Sequence, residues 1–342
     1  MIDRGLLNEA KAGDVVAQRC LGDIYERRKE NGWKSTRHNS QKAAFWYQKA
    51  AEQGDSLAQF LLGLHYDWTT PEPDYEQAAI WYRKAAEQGD AQAQFRLADM
   101  YEEGSGLTVD FAQAAFWYRQ AAKQGKPDAQ HNLAFAYANG RGVRRNRAKA
   151  AYWYRKAAEN PEYEQATDAQ LQLGILYKNG LRNFAQAAVW FRKAAEENDL
   201  DAFVNLADLY ADGLGVRRNC KQAVTWYRKA ASLGNVYALV KLGDSYAEGK
   251  GVRKSYADAY FYLTLAALEM EGKERLIAER KAEIVVSNLA PAELSKAKQR
   301  VRRHLRGAKL VEQRRILKSQ KRREQMGRIP VPRTAKAGYL FR

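Results

Sequence analysis

Four histidines, one serine–lysine pair and a set of paired glycines are the residues of this chain whose types could carry catalysis or ligand chemistry. His38, His65, His131 and His304 are of the kind that ligates zinc or moves protons, but none has the partner of an H-E-x-x-H helix or a C-x-x-C pair near it. Ser295 and Lys298 match the S-x-x-K of some serine hydrolases, where the lysine draws off the hydroxyl proton. They lie in the basic stretch APAELSKAKQRVRRHL without S-D-N or K-T-G companions. Gly140 and Gly142 in GRGVRRN lack the preceding strand and following lysine of a phosphate loop. These residues point to no enzyme, metal site or cofactor, so function is sought in the elements that would have held them.

Those elements repeat. The chain reads AAFWYQKAAEQG around Trp46, AAIWYRKAAEQG around Trp81, AAFWYRQAAKQG around Trp117, AAYWYRKAAEN around Trp153, AAVWFRKAAEEN around Trp190 and AVTWYRKAASLG around Trp226. A weaker seventh copy, AYFYLTLAALEM, puts Tyr262 at the tryptophan position, and the steps are 35, 36, 36, 37, 36 and 36 residues. A fixed period of this size marks an array of one supersecondary unit, which grows by stacking and not by enlarging a central core.

Each copy contains two amphipathic helices. DAQAQFRLADMYEEG, from Asp90, spaces Ala93, Leu97 and Tyr101 four residues apart. DFAQAAFWYRQAAKQG, from Asp110, gathers Ala114, Trp117, Tyr118 and Ala121 on one face and turns Arg119 and Lys123 outward. Gly-Asp junctions at 13–14, 54–55 and 89–90 supply a left-handed C-cap and then an N-cap. GSGLTVD, GRGVRRN, GLGVRRN and GKGVRKS form glycine turns within a pair. Small alanines let helices approach, and the tryptophan is expected to fill the wedge between copies.

The pattern A-x-x-x-L-G-x-x-Y-x-x-G-x-G-V followed by A-x-x-W-Y-x-K-A-A-x-x-G resembles the Sel1-like repeat, a relative of the tetratricopeptide repeat, over about residues 14–270 in seven copies. The first copy carries an insertion around Asn31–Asn39, the second replaces the glycine turn with TTPEPD, and the fifth shortens it to LRN. The resemblance implies an all-α, right-handed superhelical α/α solenoid acting as an adaptor whose concave face holds a protein or peptide. A secreted, cysteine-rich, β-lactamase-like subgroup is the hydrolase alternative, but its disulfide framework is absent here. Cys20 and Cys220 fall in the first and sixth copies, too far apart in a stack to be bridged, and are expected to be reduced and buried.

Residues two before, two after and five after the core leucine of the first helix lie about 140–200° from it. In tetratricopeptide-like stacks that side lines the inner curve. It reads as an apolar strip of Phe60, Leu64, Phe95, His131, Phe135, Leu171, Ile175, Val204 and Val240. An acidic row runs beside it, with Asp23, Glu26, Asp67, Asp99, Glu102, Asp208 and Asp244. A peptide with apolar anchors and basic flanks would suit it.

Charge is the other signal. The net charge is +17, and residues 302–342 carry fourteen Lys and Arg against two Glu, an excess of +12. APAELSKAKQRVRRHL reads as a helix with a sparse stripe of Leu294, Val301 and Leu305, expected to cap the last repeat. Beyond it Arg314, Arg315, Lys321, Arg322 and Arg323 lie in a stretch without an apolar period, read as disordered. Arg144, Arg145, Arg217, Arg218, Arg253 and Lys254 occupy one turn position in three copies and would form a basic ridge. Ridge and tail suit nucleic acid, anionic lipid or acidic protein surfaces, which composition alone does not separate. The N-terminus carries charge from its third residue and lacks a signal-peptide core, and no window has the roughly 20 apolar residues of a membrane span. The division read from sequence is a lead over 1–13, a solenoid over 14–270, capping helices over 271–306 and a tail over 307–342. The expected function is that of a cytoplasmic, non-catalytic scaffold, with nucleic-acid association as the alternative.

Overall fold

The structure, a computed structural model, describes residues 3–27, 37–69 and 72–307. The basic tail from 308, with Arg314, Arg315, Lys321, Arg322 and Arg323, lies outside the described residues, as does most of the first-copy insertion. Among the described residues every regular element is a helix. A lead helix Arg4–Ala12 precedes the pairs Val15–Arg27 and Arg37–Glu52, Ser56–Leu64 and Tyr75–Glu87, Ala91–Glu103 and Phe111–Lys123, Pro127–Asn139 and Arg147–Ala158. Ala166–Ile175 and Phe184–Glu196, Leu200–Asp212 and Cys220–Ser232, and Val236–Glu248 and Tyr256–Glu269 complete seven repeats. Helices Gly272–Val286 and 291–307 follow. The chain forms two compact bodies, an N-terminal one over 3–202 with 214–216 and a C-terminal one over 203–213 with 217–307.

In the N-terminal body the junctions form as the glycines require. Gly54 and Gly89 adopt φ of 93° and 98°, and the following Asp55 and Asp90 each accept from a backbone N–H three residues on, at 2.7 Å. In the fifth repeat Asn198 takes the left-handed place at φ 63°, one of the few side chains that tolerates it. The second glycine of the turn answers a different need. A Cβ on Gly142 would run into the Phe111 carbonyl at the start of the preceding second helix. Where the second and fifth repeats depart from the glycine turn, the first helix ends instead in a π-helical turn, His65–Thr69 and Leu176–Gly180.

Aromatic packing divides the labour between the Trp and the Tyr. Trp81 joins the core of the first repeat and Trp117 packs against that of the second, so the tryptophan does reach back to its predecessor. The next residue pins its own repeat: Tyr82 is fully buried, and a Cβ on Gly63 would come within 2.6 Å of its ring. Buried glutamines run between repeats as well. Gln59 and Gln94 donate to the Ala51 and Ala86 carbonyls at 3.0 and 3.1 Å. Their side-chain oxygens accept from Gln88 and Gln124 at the end of the same repeat at 2.7 and 2.9 Å. The ladder breaks at Gln130, whose buried Oε1 has no partner among the described residues, because shorter Asn160 stands where Gln124 stood.

The C-terminal body is built on apolar contacts at the same register. Phe203 occupies the glutamine position, buried and stacked on Trp226 at 5.5 Å between centroids. Helix Gly272–Val286 seats Ala278, Ala282 and Val285 against Ala259, Leu263 and Ala266. Helix 291–307 lays Val301 and Leu305 on Phe261 and Leu265.

Candidate functional site

The first-helix face was the predicted site, and the structure sorts its members by burial. In the N-terminal body Phe135 is 42% exposed, while Phe60 and Leu64 are half-buried against the core of the second repeat. Phe95 is half-buried with its ring 5.9 Å from Tyr118. Ile175 is half-buried, but Leu171 is core, which removes it from any accessible strip. In the C-terminal body Val204 is buried and Val240 packs into the core of the seventh repeat. The residue two before the leucine is thus buried in the fifth and sixth repeats and half-buried in the second, third, fourth and seventh.

The acidic row has a structural partner that the sequence did not announce. Tyr47 donates to Asp23 at 2.9 Å, Tyr82 to Asp67 at 3.0 Å, and Tyr227 to Asp208 at 2.6 Å. Tyr118 donates to both Asp99 and Glu102 at 2.7 Å. Each carboxylate thus accepts a hydrogen bond from a tyrosine hydroxyl of its own repeat. Burial raises the pKa values of Tyr82, Tyr118 and Tyr227, and the neighbouring carboxylates raise them further. Burial also lifts Asp99 from 3.8 to about 7, against the opposing pull of the Tyr118 hydrogen bond and Arg96.

Between the first helices of the second and third repeats lies a cleft of about 560 Å³, lined by Asp67, Trp68, Arg96, Asp99 and Glu103 among others. Trp68 is 68% exposed, its Nε1 donating to Asp67 at 2.7 Å and its ring 5.6 Å from the Arg96 guanidinium. Sequence reasoning missed it, although the signal was present: this tryptophan stands outside the Trp-Tyr register, where other repeats turn on glycine. In the C-terminal body the corresponding cleft is about 210 Å³, lined by Asp208, Lys241 and Asp244. There Lys241 lies 3.8 Å from Asp208, and Lys281 lies 2.6 Å from Asp244.

Repeat four departs from the pattern. Phe135 and Ala138 replace the acids, so Tyr154 has no carboxylate of its own repeat at those places. His131 packs edge-on against Tyr154 and Tyr163 at 5.2 and 6.3 Å, with Nε2 3.4 Å from Asp168. Burial lowers the His131 pKa against the pull of Asp168.

The basic turn residues split by role. Arg145 and Arg218 fold back, each donating through Nε to a carbonyl at the end of its first helix, Ala138 at 2.9 Å and Ala211 at 3.0 Å. Lys254 packs beside Gly249 and over the Tyr256 ring at 4.8 Å. Arg144, Arg217 and Arg253 are exposed. Arg145 and Arg218 thus cap the ends of their first helices while remaining exposed.

Of the residues read first for chemistry, His65 Nδ1 lies 3.5 Å from Ser40 Oγ, and His304 stands edge-on to Phe261 at 5.5 Å. The His38 side chain lies outside the described residues. Ser295 and Lys298 are both exposed on helix 291–307. Cys20 and Cys220 are free and half-buried, less enclosed than expected. Among the described residues no three His, Cys, Asp or Glu side chains cluster to hold a metal, and no helix is long and apolar enough to cross a membrane.

The Sel1 repeat profile matches residues 16–55, 56–90, 91–126, 127–161, 167–199, 202–235 and 236–269. No curated protein matches the sequence. Among solved structures, the chain is similar to a protective antigen present in uropathogenic Escherichia coli strains that displays an SLR fold. The two share 30% identity with a TM-score of 0.61, over 98% of this chain and 68% of that one. It is also similar to a Sel1 repeat protein from Oxalobacter formigenes, at 29% identity and TM-score 0.53, over 75% of this chain and 98% of that one.

Proposed function

We propose that this chain, which belongs to the Sel1 repeat family, is a non-catalytic scaffold that holds an extended or helical segment of a partner protein on the first helices of repeats two to four. Sel1 repeats generally serve as interaction scaffolds, and the fold is an α/α solenoid of stacked pairs. The observation that carries the site is the cleft of about 560 Å³ walled by exposed Trp68, with Asp99 and Glu103 on its floor and rim. An exposed tryptophan beside half-buried Phe95 offers large apolar area for an anchor side chain. The exposed Glu103 carboxylate attracts lysine or arginine beside that anchor, and Phe135 and His131 extend the face into repeat four. Half-buried Ile175 supplies further apolar area to a longer segment.

Affinity capture with the parent chain, with Trp68→Ala and with Phe95→Ala combined with Phe135→Ala tests the reading. Nuclease treatment separates protein partners from polyanions. A protein recovered by the parent, resistant to nuclease and lost with the variants at unchanged helical content supports the scaffold. Equal recovery by all three overturns the site. Recovery that disappears with nuclease moves the function to the exposed Arg144, Arg217 and Arg253 and the tail, with the steep salt dependence of phosphate contacts.

A further inference from the structure

The second helices carry an outer face that the scaffold reading does not use. The residue before the tryptophan is large and exposed in the first, third and fourth repeats, with Phe45 52%, Phe116 42% and Tyr152 54% accessible. In the seventh repeat the same position is Phe261, only 6% accessible. Local posture does not account for the difference. Phe45–Trp46, Phe116–Trp117, Tyr152–Trp153 and Phe261–Tyr262 all meet edge to face, at 5.1, 5.0, 4.9 and 5.2 Å and interplanar angles of 79°, 83°, 81° and 77°.

What covers Phe261 is helix 291–307. Val301 joins Phe261 and Leu265 in one apolar cluster, the His304 ring lies 5.5 Å away, and the Arg300 guanidinium sits 4.2 Å from the Phe261 centroid. Arg300 Nη1 also donates to Asp258 at 2.5 Å, so a basic helix meets an acid three residues before the aromatic anchor. In the fourth repeat that acid's position is Lys149, and the position of Leu265 is Lys156. The anchor geometry is retained while the sign of the rim is reversed.

We infer that the outer face of the fourth repeat, together with its counterparts in the first and third, docks an amphipathic helix of another protein whose apolar residues recur every four positions and whose rim is acidic. The seventh repeat shows the mode of docking in one chain: an apolar stripe on the aromatic anchor and a charged side chain of opposite sign beside it. Helix 291–307 of a second copy would bring its arginines against Lys149 and Lys156 and is disfavoured on that account. The inference rests on the scaffold reading only in treating the chain as a binder. It uses the opposite helix of each pair, so the two fail separately.

The test is selection on the immobilised full-length chain from a display library of helices the length of 291–307. Leu or Val stands at the places of Ala297, Val301 and Leu305, and the flanks are randomised. Enriched helices are expected to carry Asp or Glu beside the stripe. Their affinity should fall roughly tenfold or more, about 1.4 kcal/mol, on Tyr152→Ala combined with Phe116→Ala and again on Lys156→Glu, with Phe95→Ala neutral. Peptides held only by the tail would ignore the Tyr152 and Lys156 changes. Absence of enrichment, neutral or basic flanks, or affinity insensitive to those changes would overturn the inference. So would a face that Tyr152→Ala shows to be used by single-stranded RNA or by a second copy of the chain.

Discussion

The fourth and seventh repeats each hold an aromatic pair in the same edge-to-face posture, yet one leaves its first ring to solvent and the other covers it with a helix of its own chain. The clefts between first helices differ in the same sense. In the C-terminal body Lys241 and Lys281 meet Asp208 and Asp244, whereas in the N-terminal body Asp99 is left to Tyr118 and Glu102's neighbourhood and holds its proton up to about pH 7. A repeat register thus reproduces local geometry faithfully. Whether a given face is core, paired or open depends on what the chain places next to it.

Substitutions can break this comparison at graded strengths. Phe203→Ala removes the aromatic that replaces the glutamine ladder in the C-terminal body and should cost about 4 kcal/mol, read from urea unfolding. Asp99→Asn probes the open cleft. The folded pKa of Asp99 is raised, from 3.8 to about 7, so its contribution is most favourable below pH 4 and is lost as pH rises toward 7. The asparagine variant should therefore gain on the parent across that window by up to about 4 kcal/mol and hold a constant lead above it. A gap that does not change with pH would remove the buried-carboxyl account.

Val301→Ala uncovers Phe261 and should lower stability by about 2 kcal/mol, with faster hydrogen exchange in Tyr256–Glu269. Gln94→Ala takes a rung from the ladder, leaving the Ala86 carbonyl and Gln124 without it, for about 1 kcal/mol. Tyr152→Ala, at the uncovered equivalent of Phe261, should move the unfolding midpoint least, by under about 0.5 kcal/mol. If Val301→Ala and Tyr152→Ala prove equally costly, the contrast between covered and open faces is lost.

Much of the architecture was readable because each local rule was repeated. The Gly-Asp junctions became left-handed glycines followed by side-chain caps, and the paired alanines and the Trp-Tyr dipeptide gave two helices per repeat. The site was less legible. Asp67, Asp99 and Asp208 read as an acidic surface row because a helical wheel shows direction but not the hydroxyl arriving from the next helix. Leu171 and Val204 read as surface because the width of the inter-repeat contact is not encoded in one helix's phase. Trp68 escaped notice because it belongs to a departure from the repeat, and consensus reasoning looks past departures.

By itself the sequence determined the all-helical class, the number and phase of the repeats, their caps and their turns, since each depends on interactions within a few residues or on a period visible in one dimension. The tertiary structure alone decided which repeated aromatics are buried, which carboxylates hold a proton, and where the ladder of glutamines gives way to Phe203. Those outcomes depend on desolvation and on partners brought in by other helices, and equivalent positions of the repeat reach different answers when a different helix lies against them.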